Sequence, residues 1–321
     1  MDRIITVGLV LTAAALTTAL LLSGPKTAAA YTILAQEPDT RPALERRHHA
    51  APSPDGRQMS YHATRNGVMP SLYISNIDGT NERLLWGSPT TIEQEPRWSP
   101  DGKWISFVTG TSYENGQLQL GIIKPNGTDY RVLTNVQLGM VKGPSWSPGS
   151  QKILYEVRDS DSGISTLHIH DLAHGKQRQL TDTSHGMLVQ AEWSPDGNSI
   201  LASKRLSNNQ SVSDLYIFPL DNPDSMDRLT FSPEGETMPV WAPDASAVAF
   251  ARSAPDADQY ELFLYRLSDK TEQRLTSTDS IEEFFPIFSA DGSQLFYDAV
   301  IFEGNNAFST IRNMPVEKFM R

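Results

Sequence analysis

Four residues share a register from which they could act together. Five positions before each tryptophan of a recurring Trp-Ser-Pro-Asp-Gly motif, or before its equivalent, stand His48, Glu93, Val141, Leu188, Glu236 and Glu283. Three carboxylates and a histidine drawn to one place would form an acidic funnel, suited to a divalent cation or to a basic segment of a partner. Gln94, Glu95, Lys142 and Gln190 lie close by in sequence. Other histidines promise less. His168 and His170 alternate on one predicted strand and so share a face, a geometry that metal sites allow. No acidic residue matches their register, and a packed or surface role is expected. His48 and His49 are adjacent and point to opposite sides of an extended chain; with His185 they complete no ligand set. The aspartates of the motif recur at the same tight turn, where a carboxylate accepts backbone N–H groups, so they are expected to be structural. The third copy reads Gly149-Ser150 in place of Asp-Gly, so its turn needs no carboxylate. The chain has no cysteine, which removes thiol chemistry and Cys-ligated metals. It has no Gly-x-Ser-x-Gly elbow and no paired acid–base or nucleophile constellation. No catalytic residue and no bound cofactor are expected.

The motif itself reveals what must position these residues. It occurs as Ser53-Pro54-Asp55-Gly56, Trp98-Ser99-Pro100-Asp101-Gly102, Trp146-Ser147-Pro148-Gly149, Trp193-Ser194-Pro195-Asp196-Gly197, Trp241-Ala242-Pro243-Asp244 and Phe288-Ser289-Ala290-Asp291-Gly292. The proline column, with Ala290 as its sixth member, advances in steps of 46, 48, 47, 48 and 47 residues. A steady period of this length is that of a four-stranded propeller blade. Each period breaks into four short strands. In the second copy these are Glu95–Trp98, Trp104–Val108, Leu118–Ile123 and Tyr130–Thr134, rich in β-branched and aromatic residues and joined by turns such as Asn126-Gly127. The sequence therefore predicts an all-β, six-bladed propeller of four-stranded blades over residues 31–321. The last copy lacks an Arg-Leu-Thr fourth strand, and Tyr31–Gln36 occupy that slot by count, so an N-terminal strand near 31–36 is expected to close the ring. Pairing by Val316–Met320 is the rival. The repeated Trp or Phe is expected to fill the wedge between neighbouring blades.

Ahead of the repeats, residues 4–22 carry no charge and Ala28-Ala29-Ala30 offers a cleavage site. This describes a signal peptide over 1–30. An uncleaved membrane anchor is the alternative, with residues 4–22 as the only membrane contact. Either reading places the propeller in the periplasm or outside the cell. The formal net charge of −11 becomes about −12 without residues 1–30, and no Lys/Arg-rich run stands against it. Nucleic acid and anionic membrane surfaces are not expected partners.

The Trp-Ser-Pro-Asp-Gly repeats, with third strands such as Leu72-Tyr73-Ile74 and fourth strands such as Arg228-Leu229-Thr230, resemble the propeller of the TolB family. Similar repeats form the gating propellers of prolyl-oligopeptidase-type peptidases and the bodies of pectin-fragment lyases. The resemblance implies the fold over residues 31–321, without the α/β domain that precedes the propeller in TolB. The function expected is a non-enzymatic scaffold that engages an envelope protein or peptide at the channel mouth, and the register count above, not the resemblance, offers His48, Glu93, Glu236 and Glu283 for that contact. The alternatives are a sugar lyase or hydrolase with a channel metal, and a carbohydrate- or small-ligand-binding protein.

Overall fold

The recurring turn carries its own set of hydrogen bonds. In the computed structural model, Ser99 Oγ donates to Asp101 Oδ1 (2.7 Å) and accepts from the Trp104 N–H (3.0 Å), while Asp101 Oδ1 accepts from the Lys103 N–H (3.1 Å). The same three bonds recur at Ser53–Asp55, Ser194–Asp196 and Ser289–Asp291. Gly102 takes the left-handed position at φ 69°; in the copy without aspartate, Ser150 takes it at φ 57°. The serine hydroxyl and backbone donors hold the Asp55, Asp196 and Asp291 carboxyls below the usual carboxylate range. The aspartates are thus committed to turns. Asp196→Ala is expected to cost about 1 kcal/mol in a urea melt, as the loss of a capping acceptor does elsewhere, and to leave ligand binding untouched.

The structure describes residues 46–316 apart from 66–68, 112–116, 138, 206–211, 254–258, 279 and 304–305. Each repeat opens with an inner strand: Arg46–Pro52, Ile92–Trp98, Gly139–Trp146, Leu188–Trp193, Glu236–Trp241 and Ile281–Phe288. Antiparallel neighbours follow outward in chain order. The all-β propeller is present. The six separate four-stranded blades are not, and this expectation is corrected. The described strands form five sheets, of which only those over 46–86, 188–228 and 236–274 are free-standing and four-stranded. Strands between Ile92 and Gln179 merge into one eight-stranded sheet, because Gln117 and Leu118 pair in parallel with Gly139 and Met140. Gln119 explains the merger: its amide donates to the Val136 carbonyl (2.7 Å) and its carbonyl accepts from the Val136 N–H (2.8 Å) and Thr134 Oγ1 (2.8 Å). These bonds draw the connecting segment onto the third strand. The last sheet has three described strands, over 281–315.

The expected closing strand at 31–36, like the signal segment at 1–30, lies outside the described residues. Val316 ends a third strand: its N–H donates to the Ser293 carbonyl (3.0 Å), as Ile77, Leu172, Leu220 and Leu267 do to their own turns. Residues 317–320 lie outside the described set. No helix among the described residues is long and apolar enough to cross a membrane.

Burial between neighbouring repeats supplies the core. Trp146 packs with Ile92, Val108 and Leu118 of the preceding repeat, and its Nε1–H donates to the Arg97 carbonyl (3.0 Å). Trp193 packs in the same way against Leu154, Leu167 and Ile169, and Phe288 against Met238, Tyr260 and Leu262. The aromatic column does fill the wedge, and each buried side chain of this size is worth roughly 1.5–3 kcal/mol.

Candidate functional site: an axial cavity lined by six bulges

Every inner strand breaks at the same place. The antiparallel register shifts between His48 and Ala51, Gln94 and Arg97, Val189 and Glu192, Thr237 and Val240, and Phe284 and Ile287, and in the third repeat opposite Leu154–Glu156. At each break one residue adopts positive φ: His49 (54°), Glu95 (55°), Gly143 (54°), Gln190 (53°), Met238 (55°) and Phe285 (50°). These six stand five places before the repeat proline or Ala290. A bulge turns its residue out of the ladder and leaves a backbone group unpaired. Here all six residues turn onto one cavity of about 90 Å³.

Side chains of the preceding repeat take up the six unpaired N–H groups. Glu95 Oε2 accepts from Gly143 (2.7 Å), Gln190 Oε1 from Met238 (2.8 Å), and Met238 Sδ from Phe285 (3.3 Å). In those repeats the bulge residue itself is the acceptor. Where it cannot serve, a residue on the second strand, eight places after the proline column, does so. His62 Nδ1 accepts from Glu95 (3.4 Å), Glu156 Oε2 from Gln190 (3.4 Å), and Asp298 from His49 through Oδ1 (3.0 Å) and Oδ2 (2.9 Å). The relay runs round the axis without a gap. Asp298, on the last sheet, closes it onto the first, and Ser309 Oγ adds a bond to the Arg47 carbonyl (2.7 Å).

Charge and apolar surface divide the cavity. Glu95, Arg97, Lys142, Glu156, Glu192 and Arg205 come from the second to fourth repeats; Met238, Pro239, Phe285 and Pro286 come from the fifth and sixth. Burial raises the Glu95 carboxyl against the opposing pull of Lys142, and raises Glu192 against that of Arg97. Burial lowers Lys142, with Glu156 and Glu95 opposing. His49 and His62 are pushed well below the ordinary imidazole value, chiefly by burial, and are neutral at pH 7. His49 packs on Phe285 with ring centroids 3.6 Å apart, and its Nδ1 is buried without a hydrogen-bond partner.

The four residues singled out by sequence lie elsewhere. None of His48, Glu93, Glu236 and Glu283 lines the cavity. Glu93, Glu236 and Glu283 are buried between sheets, at the register where Val141 and Leu188 are core residues. Glu93 accepts from Thr91 Oγ1 (2.5 Å), Glu236 is held by Arg252 and Thr230, and Glu283 accepts from Thr278 Oγ1 (2.7 Å). His48 is one residue out of their register: Arg47 pairs with Ala63 as Glu93 pairs with Thr109 and Glu283 with Ala299, whereas His48 pairs with His62 as Gln94 does with Val108. The two outer histidines are packed. His168 stacks on Tyr155, His170 is buried, and burial lowers both. His185 faces Asp182 and Asp224 on an outer loop. Among the described residues no three His, Asp or Glu side chains are grouped to hold a metal.

Sequence reading missed a Ser-His-Asp group. His48 Nδ1 lies 3.2 Å from Asp298 Oδ2, and Ser309 Oγ lies 3.1 Å from both ring nitrogens of His48. An oxygen equidistant from both nitrogens is aligned with neither lone pair, and the Ser309 proton goes to the Arg47 carbonyl. The group therefore lacks the alignment of an activated nucleophile. The bulge ring was missed as well, although a Pro or Ala column marks it: Ala50, Pro96, Pro144, Ala191, Pro239 and Pro286 follow the six bulge residues directly, and proline has no N–H for the ladder.

With this geometry in view, comparison places the chain among known structures. TolB from Acinetobacter baumannii superposes with a TM-score of 0.62 at 22% identity, over 87% of this chain and 65% of that one. The fold is shared with TolB. An oligogalacturonate lyase solved in complex with manganese superposes with a TM-score of 0.57 at 14% identity, over 85% of this chain and 78% of the lyase. In sequence, dipeptidyl-peptidase 5 of Porphyromonas endodontalis is 22% identical over 262 residues, 76% of this chain. The chain spans 35% of that relative's length. No protein-family model matches the chain. TolB and a lyase thus share this fold and a peptidase is similar in sequence, and a shared fold does not decide among binding, lysis and hydrolysis.

Proposed function

We propose that the protein is an exported, non-enzymatic TolB-like propeller that binds an envelope protein or peptide at its axial cavity. The observation that supports this reading is the convergence of six bulge residues, one from each repeat, on a cavity with a charged side and an apolar side. Concave sites with few polar groups set in apolar walls are where proteins take ligands. The test is capture from an envelope extract by the intact protein and by Val189→Trp, which adds bulk to the cavity at a side chain that takes part in none of the six relay bonds. The captured partner should be lost from the variant; equal capture by both would overturn the reading. The likeness to a manganese-bound lyase supports a second reading, a sugar lyase or hydrolase with a metal in the channel. Stoichiometric metal in the purified protein, with turnover of an acidic oligosaccharide, would favour it.

A further inference from the structure

We propose that the charged side of the cavity is a receptor for a ligand carboxylate, held by the Lys142 ammonium, with an apolar body of the ligand against Met238 and Phe285. This rests on the reading that the cavity binds a ligand, and it names the chemistry of that ligand. Lys142 lines the cavity, is only 7% exposed, and makes no hydrogen bond or ion pair among the described residues. An ammonium enclosed to this extent, with Glu156 and Glu95 near but neither within ion-pair distance, is an expensive arrangement unless something completes it. The two nearby carboxylates each hold other donors. Glu95 accepts the Gly143 N–H at 2.7 Å, and Glu156 accepts from Ser165 Oγ at 2.5 Å and from the Gln190 N–H.

The other cations strengthen the case. Arg97 lines the same side, and its Nη1 is buried without a hydrogen-bond partner; its contact to Glu192 spans 3.9 Å. Arg205 completes a set of three cations facing three carboxylates, in a protein whose formal net charge is −11. A ligand carboxylate supplies the missing acceptor for Lys142 and Arg97, and ion pairs of this kind gain strength from exclusion of water. The apolar wall calls for a body that a simple inorganic anion does not have. Two sources carry this chemistry: a free small acid and the C-terminus of a peptide.

The test uses the full chain and calorimetric titration with N-acetyl-phenylalanine, its amide, a tetrapeptide ending in phenylalanine as free acid and as amide, and inorganic phosphate. At least one free acid should bind 10-fold or more tightly than its amide, and phosphate should bind more weakly than that acid. Lys142→Met, close in volume and relieved of a buried charge, should melt no lower than the parent and bind acid and amide alike. Lys142→Arg should keep the acid preference. Binding by the tetrapeptide acid alone identifies a chain terminus as the source; equal binding by the single-residue acid identifies a small molecule. Equal binding of acid and amide by the parent, no binding of any acid, or an acid preference that survives Lys142→Met would each overturn the proposal. If the acids fail while Val189→Trp still abolishes capture of the envelope partner, this inference alone has failed. If the acids bind unchanged to Val189→Trp, the cavity reading beneath it has failed.

Discussion

Asp298→Ala is expected to lower folding stability by about 2–4 kcal/mol, more than any other single truncation along the axis. The Asp298 carboxylate is fully buried and accepts the His49 N–H through both oxygens, with His48 Nδ1 at 3.2 Å. Removing it leaves a buried N–H without a partner, which costs roughly 1–3 kcal/mol, and removes the contact to His48 as well. Burial raises the Asp298 carboxyl, with the His48 contact opposing, so part of this loss is offset by relief from desolvation. Asp298→Asn keeps an acceptor for His49 and should recover at least half of the loss. Asp291→Ala, in the exposed turn of the same repeat, should cost only about 1 kcal/mol. Urea melts of the three variants test the ordering. If Asp298→Ala proves no worse than Asp291→Ala, the last link of the relay does not hold the ring.

The second large effect is a dependence on pH. Burial raises the Glu283 carboxyl from 4.5 to about 7, and the nearby Glu261 pushes the same way against donation from Thr278 and Thr276. A carboxyl whose value is higher in the folded state binds its proton more tightly there. Its contribution to stability is therefore complete below pH 4.5 and is lost as pH rises through about 7. Glu283→Gln keeps an acceptor for Thr278 Oγ1 and removes the titration. The variant should match the parent at pH 4 and exceed its stability at pH 8 by roughly 1–3 kcal/mol. Glu236 has also risen to about 7 through burial, yet Glu236→Gln should destabilise at pH 8, because it leaves the Arg252 guanidinium with Glu272 alone. Stability curves for both variants at the two pH values decide the matter. A Glu283→Gln protein less stable than its parent at pH 8 would reverse the sign argued here.

The repeat period, the Ser-Asp turns and the aromatic wedge were legible because each follows from local chemistry repeated at a fixed spacing. The number of sheets was not. It depends on Gln119, whose side chain binds the segment after Thr134, and nothing in the periodicity of strands signals that contact. The residues singled out by register do not line the cavity, for a geometric reason. Along an unbroken strand, Glu93 would share a face with Glu95 and Arg97. The bulge at Glu95 reverses the alternation, so Lys142, Val189 and Thr237 line the cavity while their neighbours Val141, Leu188 and Glu236 face the core. Counting back from the tryptophan by odd steps crosses that reversal. Only a pattern that includes the Pro or Ala column after the bulge could have located it.

The two ways of satisfying the bulge N–H divide the axial positions by their freedom to change. Glu95, Gln190 and Met238 both face the cavity and tether the next repeat, so a lineage that alters Glu95 or Met238 must install an acceptor at Val108 or Ala251, and one that alters Gln190 must bring an acceptor within reach from Ser203. His49, Gly143 and Phe285 carry no such duty, because His62, Glu156 and Asp298 discharge it from the second strand. New ligand preferences can therefore evolve through three positions while the other three tether their neighbours.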